Sequence, residues 1–117
     1  MKDDIIKLVL PMPPSINATY KRGKNSFYKS KEAKAWEEEA GWALKKQWKR
    51  KPLEHRIGLQ IDWYFKKERD ISSGLKILED LLQRQGVYIN DSQIVMEFIR
   101  KEFDKDNPRV EILMAEL

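Results

Sequence analysis

The chain has 117 residues, of which 41% are hydrophobic and 10% aromatic. That is enough for one packed domain over residues 1–117 and too apolar for a disordered tail. The chain has no cysteine, which excludes disulfides, thiolate metal sites and thiol nucleophiles. The first apolar run is short and soon broken by proline, and no stretch approaches the ~20 apolar residues of a membrane helix. We therefore expect a cytoplasmic domain without a signal peptide or membrane contact.

Charge is unevenly distributed along the chain, whose net charge is +4. Residues 1–69 contain 17 Lys and Arg against 9 Asp and Glu, whereas residues 70–117 contain 6 against 10. A basic half joined to an acidic half suits a protein that holds a polyanion with one part and collects metal ions with the other. A solvated surface rich in Lys and Glu explains the same numbers, and composition alone favours that simpler explanation.

The first half of the chain predicts a strand, a loop and a helix. Ile5 to Leu10 reads as a strand that the following prolines end. Residues 15–28 form a basic loop interleaved with aromatic residues, with a turn near its middle. Ser30 is a candidate N-cap for a helix running to about Lys49, since apolar residues recur there at helical spacing: Ala33, Trp36, Ala40, Leu44 and Trp48.

The second half predicts three strands and a second helix. Apolar residues alternate from Ile57 to Phe65, which is typical of a strand with one buried face. A helix is expected from Ser72 or Ser73 to Gly86, which would follow its last turn. Residues 94–103 and 109–116 predict two strands that residues 104–108 would join as a hairpin. The order of elements predicts an α+β fold, with a mixed β-sheet packed against two main helices.

Residues 69–76 and the later pair Asn90-Asp91 contain the most informative chemistry. If residues 70–72 are extended, the side chains of Asp70 and Ser72 point to the same side. Asp70 and Asp91 would then offer carboxylates to Mg²⁺ or Mn²⁺, which prefer oxygen ligands. Lys76, in the first helical turn, is suited to stabilise charge on a phosphate.

Each of these residues also has an ordinary explanation. Asp70 could cap the second helix, Lys76 could be a solvated surface residue, and Asn90-Asp91 could be a turn. His55 is the only histidine, and with no nearby partner it is expected to be structural or exposed. The spacing alone therefore leaves the function open.

The same segments resemble the RusA family of Holliday-junction resolvases over nearly the whole chain. Residues 13–20 match the family segment P-P-S-x-N-x-x-[YW], and residues 28–36 match the helix start that follows it. Residues 69–76 match the core R-D-[IL]-D-N-x-x-K except at two positions, residues 80–82 its D-A-L segment, and residues 86–95 the run G-x-[IVW]-x-[DN]-D-x-Q-[IV]. The two exceptions are Ser72 and Ser73, where family members carry Asp and Asn.

The resemblance implies a RusA-like homodimer that binds four-way DNA junctions and cuts them during recombination and repair. The implied reaction depends on Mg²⁺, with Mn²⁺ as a substitute, and uses no small-molecule cofactor. Asp70 and Asp91 would be catalytic metal ligands, Ser72 a third ligand and Lys76 a catalytic cation. The implied DNA contacts are Asn17, Lys21, Arg22, Lys24 and Arg69.

Ser72 leaves several interpretations open, because a neutral hydroxyl binds a hard cation more weakly than a carboxylate does. Glu68 or Asp80 could compensate in part. Alternatively, the metal could bind more weakly, with activity retained at high Mn²⁺, or the protein could bind junctions without cutting them. A structural or interaction protein with no nucleic-acid partner is the weakest alternative.

Overall fold

The structure, a computed structural model, describes residues 4–15, 20–22 and 27–117. Strands and helices follow one another in these ranges, and a short 3₁₀ turn, Asp91–Gln93, precedes the fifth strand. Neither helix in the described ranges combines the length and apolar composition needed to cross a membrane. In chain order the elements are β1 (Ile6–Pro11), β2 (Tyr20–Arg22), β3 (Phe27–Lys29), α1 (Lys31–Gln47), β4 (Ile57–Phe65), α2 (Leu75–Arg84), β5 (Ile94–Phe103) and β6 (Arg109–Glu116).

Helix α1 begins at the predicted cap. The Ser30 hydroxyl accepts a hydrogen bond from the Ala33 amide at 3.1 Å, which satisfies one of the amides that a helix start leaves without an intrahelical partner. The predicted apolar stripe is buried from Ala33 to Leu44. The expected helix and its buried face are confirmed, and the helix ends two residues earlier than predicted.

Helix α2 begins later than predicted, at Leu75. Gly74 immediately before it has φ 87°, a left-handed conformation that interrupts the helical path, so residues 71–74 form a separate turn. At the other end Gly86 has φ 81° and follows the last turn as expected, since glycine adopts this conformation without steric strain.

The main sheet has the strand order β1-β6-β4-β5. Strand β6 pairs antiparallel with both β1 and β4, whereas β4 and β5 are parallel. A mixed four-stranded sheet with two helices confirms the predicted α+β fold.

The predicted hairpin between residues 94–103 and 109–116 is wrong. Strand β4 lies between β5 and β6 and pairs with both of them. The connection after β5 therefore crosses the end of β4, where the Asp104 amide donates to the Phe65 carbonyl at 2.9 Å. The turn-forming composition of residues 104–108 is compatible with this crossing, because it spans only about 10 Å, two strand spacings.

The core lies on one face of the sheet. Alternate residues of β4, from Ile57 to Phe65, are buried together with apolar residues of both helices in one cluster. The remaining strands contribute Leu8, Leu10, Val110, Ile112 and Met114. The opposite face of the sheet is consequently not part of this cluster, and we call it the open face.

The two left-handed glycines provide a matched stability test. An added Cβ at Gly86 would lie 3.9 Å from its nearest neighbour, whereas at Gly74 it would lie 2.9 Å from Pro13 Cγ. Gly86→Ala should therefore reduce the free energy of unfolding by about 1–2 kcal/mol through backbone strain alone. Gly74→Ala adds an overpacking penalty and should reduce it by roughly 2–4 kcal/mol. Urea unfolding measures both values, and equal losses would contradict a close approach of Pro13.

Candidate functional site

The connection between β4 and α2 contains most of the predicted site, and its residues 69–74 are called the site loop. The Arg69 side chain holds this loop through hydrogen bonds to Pro13 and Ser73. Its Nη1 donates to the Pro13 carbonyl at 2.9 Å, and its Nε and Nη2 donate to Ser73 Oγ at 3.2 and 3.1 Å. The guanidinium lies 4.9 Å from the ring centroid of Phe65. Arg69 thus ties the site loop to the segment that follows β1.

Other side chains hold the backbone on both sides of Asp70. The buried Trp63 indole donates to the Ile71 carbonyl at 2.6 Å, and Lys101 Nζ donates to the Arg69 carbonyl at 3.1 Å. The Ser73 amide closes a turn onto the Asp70 carbonyl at 2.9 Å. The Asp70 side chain itself is exposed. The loop therefore presents this carboxylate to solvent from a fixed backbone.

Ser72 precedes the start of α2 and Lys76 lies in its first turn. Ser72 is exposed, and Lys76 Nζ lies 3.6 Å from Asp80 Oδ2, one helical turn further on. Glu68 in turn forms an ion pair with Lys101. Both acids that could compensate for Ser72, Glu68 and Asp80, thus already have a cationic partner.

Asp91 is positioned by a separate set of contacts. Its amide donates to Gln83 Oε1 at 2.9 Å, and Asn90 before it caps the 3₁₀ turn by accepting from the Ser92 amide. Gln93 Nε2 donates to the carbonyls of Leu53 and His55, each at 2.9 Å. These contacts fix Asp91 beside the segment that leads into β4, and its side chain is exposed.

The strand register separates the two predicted carboxylate ligands within one chain. Ile57 pairs with Ile94, just after Asp91, whereas Trp63 pairs with Lys101. Trp63 and Lys101 hold the site loop, so Asp70 follows the end of the parallel strand pair, whereas Asp91 precedes its start. No group of three or more His, Cys, Asp or Glu side chains in the described ranges could hold a metal ion. Asp70, Ser72 and Asp91 as joint ligands of one ion stay a prediction.

An acidic cluster beside Asp91 was missed by sequence reasoning. Burial, a hydrogen bond to Glu97 and the negative charges of Glu97, Asp91 and Asp80 together raise the pKa of the Glu79 carboxyl to about 8. The Tyr88 hydroxyl donates to the Glu79 carbonyl at 2.8 Å. Helical spacing could have predicted the partial burial of Glu79, because it lies four residues after Leu75 on the apolar side of α2.

The predicted DNA contacts are only partly described. Asn17 and Lys24 lie outside the described residues. Lys21 and Arg22 belong to β2, which pairs antiparallel with β3 as a two-stranded ribbon. Arg69 uses its guanidinium for contacts within the chain, which give it a structural role. Its contact with DNA remains a prediction, as do those of the other four residues.

Glu79 predicts a loss of stability with rising pH. The ordinary pKa of its carboxyl is 4.5 and the folded value is about 8, so in between the folded chain holds a proton that the unfolded chain has lost. The free energy of unfolding should therefore fall as pH rises from about 5 to 8. Glu79→Gln should flatten this profile in urea unfolding experiments, while Glu102→Gln on exposed β5 should not. If the parent, Glu79→Gln and Glu102→Gln show the same dependence of unfolding free energy on pH, the raised pKa of Glu79 is contradicted.

Comparison with known proteins identifies the family of this chain. Residues 11–115 match the model of the family described as endodeoxyribonuclease RusA. The chain is also 31% identical over 98 residues to the crossover junction endodeoxyribonuclease RusA of Aquifex aeolicus (strain VF5), a match that covers 82% of this chain and 77% of that protein. The family match spans most of the chain, including the site loop and Asp91. The chain therefore belongs to the RusA endodeoxyribonuclease family.

Proposed function

We propose that this protein is a structure-specific endodeoxyribonuclease that resolves Holliday junctions in DNA recombination and repair. The observation that carries the proposal is the exposure of two residues of the family core, Asp70 in the site loop and Lys76 in the first turn of α2. Side chains from other elements hold the backbone of the site loop in place. Family membership and the named activity of the Aquifex relative support it. The proposed location is the cytoplasm, and no membrane partner is proposed.

Lys76 is the proposed cation for the scissile phosphate. Its ammonium group lies in the first turn of α2 and is largely exposed. The amides at that helix start add to the attraction for a phosphate. Lys76 would exchange its contact with Asp80 for the phosphate oxygen, and it would stabilise negative charge as the bond to the leaving oxygen breaks.

Magnesium is the proposed cofactor, with manganese as a substitute. When bound, the ion would polarise the phosphate and lower the pKa of an attacking water. The proposed donor residues are Asp70 and Ser72, which follow the end of β4, and Asp91, which precedes the start of the parallel strand β5. We propose a homodimer, and we assign ion binding by these residues to the dimer rather than to one chain.

DNA is the proposed partner, with contacts from Asn17, Lys21, Arg22, Lys24 and Arg69. All five residues lie within residues 1–69, where basic residues outnumber acidic ones. Phosphate contacts of this kind dominate affinity and release counterions, so junction binding should weaken steeply with salt.

A junction-binding protein with weak or no cleavage is the second candidate function. Ser72 favours it, since the position offers a hydroxyl where family members have a carboxylate. Glu68 already forms an ion pair with Lys101, and Asp80 forms one with Lys76 until Lys76 turns to the phosphate.

Cleavage of a synthetic four-way junction in Mg²⁺ or Mn²⁺ separates the two candidates. Ser72→Asp should raise the cleavage rate at least ~10-fold over the parent, because ~1.4 kcal/mol of better transition-state stabilisation is tenfold in rate. Ser72→Asn is the matched control, since it has a similar shape without the charge, and it should show no such gain.

Three results would change the proposal. Strong cleavage by the parent would exclude the non-cleaving candidate. An equal response to Ser72→Asp and Ser72→Asn would contradict the role given to charge at position 72. Equal binding of a junction and a duplex of the same length would contradict junction recognition, and binding of neither would favour a protein without a nucleic-acid partner.

A further inference from the structure

Hydrogen bonds hold the peptide groups on both sides of Asp70. The Arg69 carbonyl belongs to the peptide group before Asp70 and accepts from Lys101 Nζ at 3.1 Å. The Asp70 carbonyl belongs to the peptide group after it and accepts from the Ser73 amide at 2.9 Å. Because each peptide group is planar, the orientations of these two groups set the φ and ψ angles of Asp70. They thereby set the direction in which the Asp70 side chain leaves the backbone.

The Lys101 contact is the one of these two that joins the site loop to the main sheet. Ser73 belongs to the loop itself, whereas Lys101 belongs to β5. The ammonium group is also a charged donor, and a hydrogen bond of this kind is roughly twice as strong as one between neutral groups. Lys101 therefore fixes the peptide group before Asp70 relative to the sheet.

The backbone that carries Lys101 is itself well held. Lys101 pairs with Trp63 in the parallel ladder of β4 and β5. One residue earlier, Arg100 donates twice to Asp62 of β4, from Nε to Oδ1 at 2.9 Å and from Nη2 to Oδ2 at 3.1 Å. A donor can orient its acceptor only if its own attachment is fixed, and the end of β5 meets that requirement.

The ion pair between Lys101 and Glu68 offers a simpler explanation of this lysine. The Glu68 side chain is 71% exposed, and an exposed pair of this kind contributes little to stability. The Lys101 side chain is only 33% exposed, and its ammonium group has three donors. Lys101 therefore contacts the carboxylate and the Arg69 carbonyl together, and the ion pair does not account for the second contact.

We infer that Lys101 is a positioning residue for the proposed nuclease, whose ammonium group orients the peptide group before Asp70 and thereby the Asp70 carboxylate. A misplacement of about 1 Å in a reacting group can cost roughly 10²-fold in rate. A contact one peptide group away from Asp70 is close enough to have this effect. The effect on the reaction rests on the proposed function, whereas the effect on the backbone of Asp70 does not.

Backbone ¹⁵N relaxation without DNA or metal tests the orienting contact. The order parameter of the Asp70 amide should be about 0.85 in the parent, the value of a rigid backbone, and Lys101→Met should lower it towards 0.6. Methionine has a similar stem and no donor, whereas Lys101→Arg retains the charge and the donors and should keep Asp70 ordered. Lys105→Met is the matched control, because Lys105 is exposed in the connection after β5, and it should leave Asp70 unchanged.

A second variant keeps the test decisive if Lys101→Met does not fold. The side chain of Lys101→Gln is polar but one bond shorter, so it suits a partly exposed position and ends further from the Arg69 carbonyl. It should also lower the order parameter of Asp70. Thermal melts report whether each variant folds.

Single-turnover cleavage of a four-way junction tests the consequence for the reaction, in the Ser72→Asp background if the parent cuts poorly. At saturating protein, Lys101→Met should cut ~10–100-fold more slowly than Lys105→Met. The two variants should bind the junction with equal Kd, because each loses one positive charge and the Asp70 carboxylate is a proposed metal ligand rather than a DNA contact. Lys101→Arg should recover most of the rate.

An order parameter of Asp70 that Lys101→Met leaves unchanged would overturn the inference, as would a flexible Asp70 in the parent. A loss of junction binding as large as the loss of rate would make Lys101 a DNA contact and would also overturn the positioning role. The two proposals fail separately. A protein that cuts no junction in either background refutes the nuclease, while the order parameter still decides whether Lys101 orients Asp70.

Discussion

Parallel pairing of β4 with β5 is the constraint on which the arrangement of this molecule depends. Parallel strands need a crossover connection, and here that connection contains the site loop and α2. The loop follows the end of β4, whereas the 3₁₀ turn with Asp91 precedes the start of β5. The two halves of the predicted site therefore lie towards opposite ends of the strand pair, although they are only 21 positions apart in the sequence.

The site loop shows how a short connection without regular structure is held in place. Three side chains make these contacts. Trp63 from the core and Lys101 from β5 donate to the Ile71 and Arg69 carbonyls of the loop, and Arg69 of the loop itself donates to the Pro13 carbonyl. Each donor satisfies a backbone group that would otherwise need water. This leaves the Asp70 carboxylate exposed on a backbone with little freedom, which is the property required of a residue that must meet a ligand in one geometry.

Local patterns in the sequence were sufficient for the elements and insufficient for their pairing. The stripe from Ala33 to Leu44 and the alternation from Ile57 to Phe65 predict a helix and a strand, because their periods are set by the backbone. The pairing of β5 could not be predicted in this way. Residues 104–108 have the composition of a hairpin turn. In the sheet, however, β6 lies between β1 and β4, so β5 and β6 are not neighbours.

The residues of the candidate site could be predicted from the sequence, but the distances between them could not. Asp70, Lys76 and Asp91 stand out by spacing and by resemblance, but their distances depend on the parallel register. Glu79 and Glu97 were missed because one is an acid within a leucine-rich helix and the other an acid between Met96 and Phe98 in a strand. Both positions look like solvated surface until α2 is packed against β5, which brings the two carboxyl groups together.

A site shared between the two protomers of the proposed homodimer can be tested by mixing two inactive variants. Asp70→Asn and Asp91→Asn are purified apart, in the Ser72→Asp background if the parent cuts poorly, and then allowed to exchange subunits. If each site takes Asp70 from one protomer and Asp91 from the other, mixed dimers hold one intact site, and we predict junction cutting at roughly a quarter of the sites. A mixture as inactive as either variant alone would contradict the shared site.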